Sequence, residues 1–190
     1  MSRQSLTTIA SDQRRWLLRL ARSTIEARLA GRPLPNEAPP DGPLTEARGA
    51  FVTLTAGGSL RGCIGHVVGV DPLWLSVRVN AVNAALHDPR FPPVGRAELA
   101  GLAIEISALT PLRRVAGPAD IVVGRDGIVI ERGAARGLLL PQVGERYGWT
   151  AAEFLDQTCR KAGLRPGCWR EADSVIWLFS AEVFDEAGEG

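Results

Sequence analysis

Apolar residues recur along this chain with two different periods, and the switches between them divide it into elements. Over residues 11–30, Leu17, Leu18, Ala21, Ile25 and Leu29 share one arc while Arg15, Arg19, Arg22 and Glu26 fall opposite. That is the period of an amphipathic helix, and Gly31 and Pro33 stop it. The next stretch, Arg32 to Pro43, holds five prolines and almost no bulky apolar residue, so it reads as an extended loop, a tether or a lid.

A period of two then takes over. Residues 49–55 and 59–65 read as strands joined at Gly57-Gly58, a hairpin. Alternation on the returning strand puts Leu60 and Ile64 on one side and Arg61 and Cys63 on the other. Asp71 and Pro72 read as N-cap and first residue of a helix through about Leu86. Its inner face is Trp74, Val77, Ala81, Ala84 and Ala85, and Leu73, Leu75, Val79 and Val82 leave so few polar positions that a sandwiched helix is predicted. Pro89 and Pro92-Pro93 make the exit, 87–93, rigid and irregular.

Residues 102–109 form the clearest strand, with Leu102, Ile104, Ile106 and Ala108 on one face. Glu105 and Ser107 point together on the other, which in an antiparallel sheet is ordinarily the solvent face. Residues 121–123 and 128–130 flank Asp126-Gly127, a hairpin signal. Residues 137–143 read as a short strand or buried turn. Thr150 and Glu153 have capping-box spacing and open a helix carrying Phe154, Leu155, Thr158, Cys159 and Ala162, closed by Gly163. Cys159 falls on its apolar face and reads as core. A last strand is predicted from Ser174 through Val183, with residues 186–190 fraying. Adjacent strands without a βαβα rhythm predict an α+β fold: a mostly antiparallel or mixed sheet flanked by helices, one domain with a core of about 11–186 and two closely packed lobes.

Composition narrows the function classes. Against 22 Lys+Arg stand 21 Asp+Glu, a formal net charge of +1, so no overall field draws the chain to nucleic acid or an anionic membrane. Lys161 is the single lysine, which reads as a genomic bias toward arginine rather than a binding surface. Arg14, Arg15, Arg19 and Arg22 interrupt the N-terminal leucines, so neither a signal peptide nor a membrane span is predicted, and a cytoplasmic protein is the expectation. Three cysteines, Cys63, Cys159 and Cys168, at spacings that match no zinc pattern, predict reduced thiols.

The candidate chemistry gathers at Leu60-Arg61-Gly62-Cys63-Ile64-Gly65-His66. Two glycines around one cysteine indicate positive φ or a close approach. The plain reading is a bulged strand whose small cysteine fills a core gap. The chemical reading makes Cys63 a nucleophile, with Arg61 polarising it and His66 or Glu105 as base. In a ligand-binding reading Arg61 and Arg90 join the Gly62 and Gly65 amides around an anion, with Ser107 beside Glu105. The alternative for Arg90 is a salt bridge to Asp88 in its own turn. Cys63, His66, His87 and Asp88 make a weak metal set, and no metal or cofactor is assigned. Trp169 is the tryptophan without an evident core role, although the charge balance argues against nucleic-acid binding.

Beyond single residues, the chain resembles the AMMECR domain family. The resemblance rests on Leu60-Arg61-Gly62-Cys63-Ile64-Gly65, Asp88-Pro89-Arg90-Phe91-Pro92-Pro93, Ile104-Glu105-Ile106-Ser107 with Leu109-Thr110-Pro111, Asp126-Gly127, Leu139 to Val143, Gly148-Trp149 and Lys161 to Leu164, in order from about Leu17 to Phe184. It implies a two-lobed α+β fold and, for bacterial and archaeal members (AmmeMemoRadiSam system protein A), association with a Memo-like protein and a radical SAM protein. It carries no settled activity or catalytic residues, and His66 and His87 stand outside its hallmark. The expectation is a ligand-binding or cysteine-dependent catalytic component, or alternatively a non-catalytic interaction or regulatory module.

Overall fold

A computed structural model describes residues 8–189, which form two compact units. The first comprises the chain through Thr110 together with residues 182 onward, and the second is Pro111–Ala181.

In the first unit, helix α1 (Ser11–Leu29) buries Leu17, Leu18, Ala21 and Ile25, the arc its sequence period predicts. The hairpin strands β1 (Ala50–Ala56) and β2 (Ser59–His66) follow, then α2 (Leu73–Leu86) and β3 (Leu102–Leu109). The strand order is β2-β1-β3, antiparallel, so β2 is an edge. Val52 and Leu54 of β1 and Ile104, Ile106 and Ala108 of β3 pack with Leu17, Ile25, Val77 and Ala81 of the helices in one core. Both helices thus lie on one face of this sheet. The expected sandwiching of α2 does not hold: it rests on β1, β2 and α1, and Val79 is exposed on its outer side. Its start also differs. Pro72, not Asp71, occupies the cap position, and the Leu73 amide donates to Glu46 O instead of to a capping side chain.

Arg48, just before β1, is 1% exposed; its Nε donates to Leu109 O at 3.0 Å and its Nη2 to Glu182 Oε1 at 3.2 Å. Arg22 pairs with Glu186, and Glu189 accepts hydrogen bonds from Ser11 and Arg14. These contacts correct the expected fraying of residues 186–189; Gly190 lies outside the described residues.

The second unit holds β4 (Arg113–Val115), β5 (Asp126–Arg132), β6 (Ala135–Leu139), α3 (Pro141–Arg146), α4 (Ala151–Lys161) and the 175–181 part of β7 (Val175–Asp185). β7 pairs with β4 and β5, and β5 with β6, all antiparallel. Ile128, Ile130, Ile176 and Leu178 pack under Phe154 and Leu155 of α4. The capping box holds as predicted: the Glu153 amide donates to Thr150 Oγ1 at 3.3 Å and the Thr150 amide to Glu153 Oε2 at 2.8 Å.

Two expectations fail in this unit. Residues 121–123 are no strand, and Asp126-Gly127 opens β5 instead of turning a hairpin, which forms through Gly133-Ala134. Gly127 lies opposite Phe179, whose ring leaves no room for a Cβ, and buried Asp126 accepts the Val122 amide at 2.8 Å. An aromatic neighbour across the sheet therefore sets this pair. Second, Cys159 and Cys168 are not reduced thiols but a disulfide, both sulfurs brought together in the fully buried core between α4 and the turn 168–170. Trp169 beside it donates its indole N–H to Asp156 at 2.8 Å, with the Arg170 guanidinium over its ring.

Candidate functional site

Register places three side chains in one row across the first unit's sheet. Thr53 of β1 pairs with Cys63 of β2 on one side and with Glu105 of β3 on the other. The neighbouring row is Gly65, Phe51 and Ser107. Because Val52, Leu54, Ile104 and Ile106 face the helices, alternation turns both rows to the opposite face. Cys63, the free cysteine, is half-buried there, and Thr53 Oγ1 donates to its sulfur at 3.3 Å. Cys63 and Glu105 are two strand spacings apart, roughly 10 Å between Cα atoms. A proton passing between them needs a bridging molecule above Thr53. Burial pushes the Glu105 carboxyl up from its ordinary value, and the negative charge of Asp185 adds to the effect.

The outer side of β2 is closed by the segment after α2. Asp88 Oδ2 accepts the Cys63 amide at 2.9 Å, and Arg90 Nη2 donates to Cys63 O at 3.0 Å. Arg90 also grips Asp88 through Nε to Oδ1 at 2.9 Å and Nη2 to Oδ2 at 2.6 Å. Farther along, Arg61 Nη1 donates to Pro92 O at 2.9 Å, while its Nε and Nη2 engage Glu98 at 2.7 and 3.1 Å. An unpaired strand edge invites pairing with another chain, and here the Asp88 to Pro92 segment satisfies it instead. The fork of Arg90 first, then the Cys63 and Arg90 amides, hold the Asp88 carboxyl far below the usual carboxylate range. The anion at the Cys63 amide is thus supplied by the chain itself.

The remaining candidates separate from this row. The β1–β2 register shifts between Leu54 and Thr55, which oppose Gly62 and Leu60, so Arg61 is an extra, bulged residue. The bulge moves Leu60 to the Cys63 face, correcting the expected pairing of Leu60 with Ile64, and turns Arg61 toward Glu98. His66 shares the helix-covered face with Gly62 and Ile64. Asn80 Nδ2 donates to Ala50 O at 3.1 Å and lies 3.3 Å from His66 Nδ1, which assigns Nδ1 as acceptor and the ring proton to Nε2. That nitrogen lies 3.3 Å from Ser76 Oγ, which donates onward to Arg48 O. Both ring nitrogens are therefore occupied by α2, on the far side of the sheet from Cys63.

Neither Gly62 nor Gly65 has positive φ. Close approach is their reason: a Cβ on Gly62 would stand 2.1 Å from Ala84 O of α2, and one on Gly65 would meet Ala50 O and the Phe51 ring. Since the Cys63 amide points off the edge, alternation turns the Gly62 amide inward toward β1. Thr53 and Phe51 are site residues absent from the sequence-based candidates, and Asp88, expected as the partner of Arg90, pairs with it and also accepts the Cys63 amide. The alternation of Thr53 with Val52 and Leu54 carried a signal for it, whereas nothing local tied Asp88 to an amide 25 positions earlier. Cys63, His66, His87 and Asp88 do not converge, and no metal-sized cluster of His, Cys, Asp and Glu occurs among the described residues. No helix among them is long and apolar enough to cross a membrane.

A protein of Methanothermobacter thermautotrophicus is 45% identical over 189 residues, covering 95% of this chain and 97% of that protein. One from Thermococcus onnurineus is 46% identical over 184 residues, covering 90% of this chain and 89% of its own length. The crystal structure of an uncharacterized protein from Pyrococcus horikoshii matches with a TM-score of 0.79 at 40% identity, covering 95% of each chain. The AMMECR1 family model matches residues 18–184, and the chain belongs to that family.

Proposed function

We propose that the face of the β2-β1-β3 sheet turned away from α1 and α2 binds a small ligand on which Cys63 acts, in a cytoplasmic protein that works with Memo-like and radical SAM proteins. The observation that supports this reading is the row Cys63–Thr53–Glu105. Thr53 orients the sulfur, and Glu105, its carboxyl raised by burial, is suited to exchange a proton with a molecule lying between them. Phe51 and Ser107 in the next row offer an apolar and a hydroxyl contact. Arg61 and Arg90 serve the edge and keep the Cys63 segment in register.

Thiol labelling of the native protein without reductant tests the proposal. Cys63 is expected to react in the folded state, Thr53→Val to change the rate, Glu105→Gln to alter its pH dependence in the presence of ligand, and His66→Gln to leave it unchanged. Reaction of Cys63 only after unfolding removes the basis for nucleophilic chemistry.

A second reading, a non-catalytic interaction module, draws on the structural partners that Arg61, Gly62 and the Cys63 amide already have. In that case a Cys63→Ala protein folds and still captures a purified Memo-like or radical SAM protein. Loss of capture with the fold intact counts against a passive cysteine.

A further inference from the structure

The proline-rich segment has a cavity beneath it. A space of about 290 Å³ lies between α1 and residues 32–43, lined by Trp16, Arg19, Leu20, Ser23, Pro35 and Glu37. The four helical residues recur at three- and four-residue spacing and so share one face of α1. Gly31, with φ of 67°, turns the chain back after the helix. The returning segment is fastened at two places: Arg78 Nη1 donates to Pro35 O at 2.9 Å, and Gln13 Nε2 donates to Asp41 O at 2.9 Å. Proline fixes φ along the span, so the roof of the cavity is held before any ligand arrives, which lowers the ordering cost of binding.

The lining has a definite chemistry. Trp16 is half-buried, and no other aromatic ring stacks on it among the described residues. With Leu20 it makes an apolar wall. Arg19 and Glu37 are both exposed at the cavity, carry opposite charges, and take part in no ion pair among the described residues. The volume stands at the small end of the range for small-molecule pockets.

We propose that this cavity binds a single aromatic α-amino acid, its carboxylate at Arg19, its ammonium at Glu37 and its ring against Trp16. Opposite unpaired charges select a zwitterion over a simple anion or cation, and an indole face favours an offset-stacked ring over a polar side chain. The site lies on α1, which covers the core face of the sheet, so it is independent of the Cys63 face.

Calorimetric titration of the whole protein with L-phenylalanine, phenethylamine and 3-phenylpropionate tests it. L-Phenylalanine is expected to bind saturably with a Kd of about 1 mM or tighter, and each truncated analogue about tenfold more weakly. Arg19→Ala is expected to weaken L-phenylalanine and 3-phenylpropionate but not phenethylamine, and Glu37→Gln to weaken L-phenylalanine and phenethylamine but not 3-phenylpropionate. Ser23→Phe, which fills the cavity, abolishes binding while the melting profile stays. Absence of saturable L-phenylalanine binding, equal affinity for all three ligands, or indifference to both charge variants overturns the proposal. The ligand series decides the matter even if a variant fails to fold.

Discussion

The carboxylate of Asp88 accepts the backbone N–H of Cys63 at 2.9 Å, and that one bond joins the two most distinctive motifs of the chain. Asp88 is buried on an otherwise open strand edge, and Arg90 neutralises it there in two-pronged fashion. The cysteine motif and the proline-flanked motif are thus complementary halves of one edge.

The Asp88 carboxylate makes stability acid-sensitive. The folded Asp88 carboxyl is held below its ordinary value, chiefly by Arg90, so its contribution is complete above the ordinary aspartate pKa of about 3.9 and is lost as pH falls below that. Asp88→Asn is expected to lower stability at neutral pH and to flatten the acid limb of denaturant midpoint against pH. Hydrogen exchange at the Cys63 amide should quicken in the same variant. An unchanged acid limb would show that the charge of Asp88 does not matter.

Glu105 carries the opposite sign. Burial first, then Asp185, raises its folded carboxyl above the unfolded value, so ionisation costs stability above the folded pKa and the cost disappears as pH falls through it. Glu105→Gln should therefore be more stable than the parent at pH 7, with the gap closing on acidification. Parallel pH curves for the two proteins would contradict this.

Gly62 has no room for a methyl group. A Cβ there would stand 2.1 Å from Ala84 O, a backbone atom that cannot swing aside, so Gly62→Ala forces β2 away from α2. The expected loss is about 1–3 kcal/mol, read from urea unfolding. Gly101, where nothing lies within 4 Å of an added Cβ, is the control: Gly101→Ala should be close to neutral.

The disulfide closes a short loop, with Cys159 and Cys168 nine positions apart in sequence. Replacing both cysteines with alanine should cost about 2–3 kcal/mol through the entropy restored to the unfolded chain. Denatured protein without reductant should present one thiol per chain, that of Cys63; three thiols would overturn the pairing.

Much of the fold was legible because it follows from local periods. The alternation over 102–109 located β3 to the residue, and Thr150 with Glu153 located the start of α4. The candidate face was legible in part: alternation alone put Glu105 and Ser107 together, and register then set Cys63 in the same row as Glu105, with Thr53 between them. The bulge at Arg61 was not, since it depends on how β1 and β2 pair, and it reversed the facing of Leu60. Asp126-Gly127 misled because a turn signal is a local preference, and the ring of Phe179 across the sheet outweighed it.

Periodicity and capping were enough to specify most of the elements and the α+β class, since each depends on residues within a turn or two of one another, and the order of the motifs carried the family resemblance. The partners of the side chains came from elsewhere. His66 went to α2, Asp88 to the Cys63 amide, and Cys159 to Cys168. Each pairing joins residues that are not local neighbours, and each satisfies a polar atom or sulfur that burial had already removed from water. Burial is a property of the packed chain, so these choices emerged only when the elements came together.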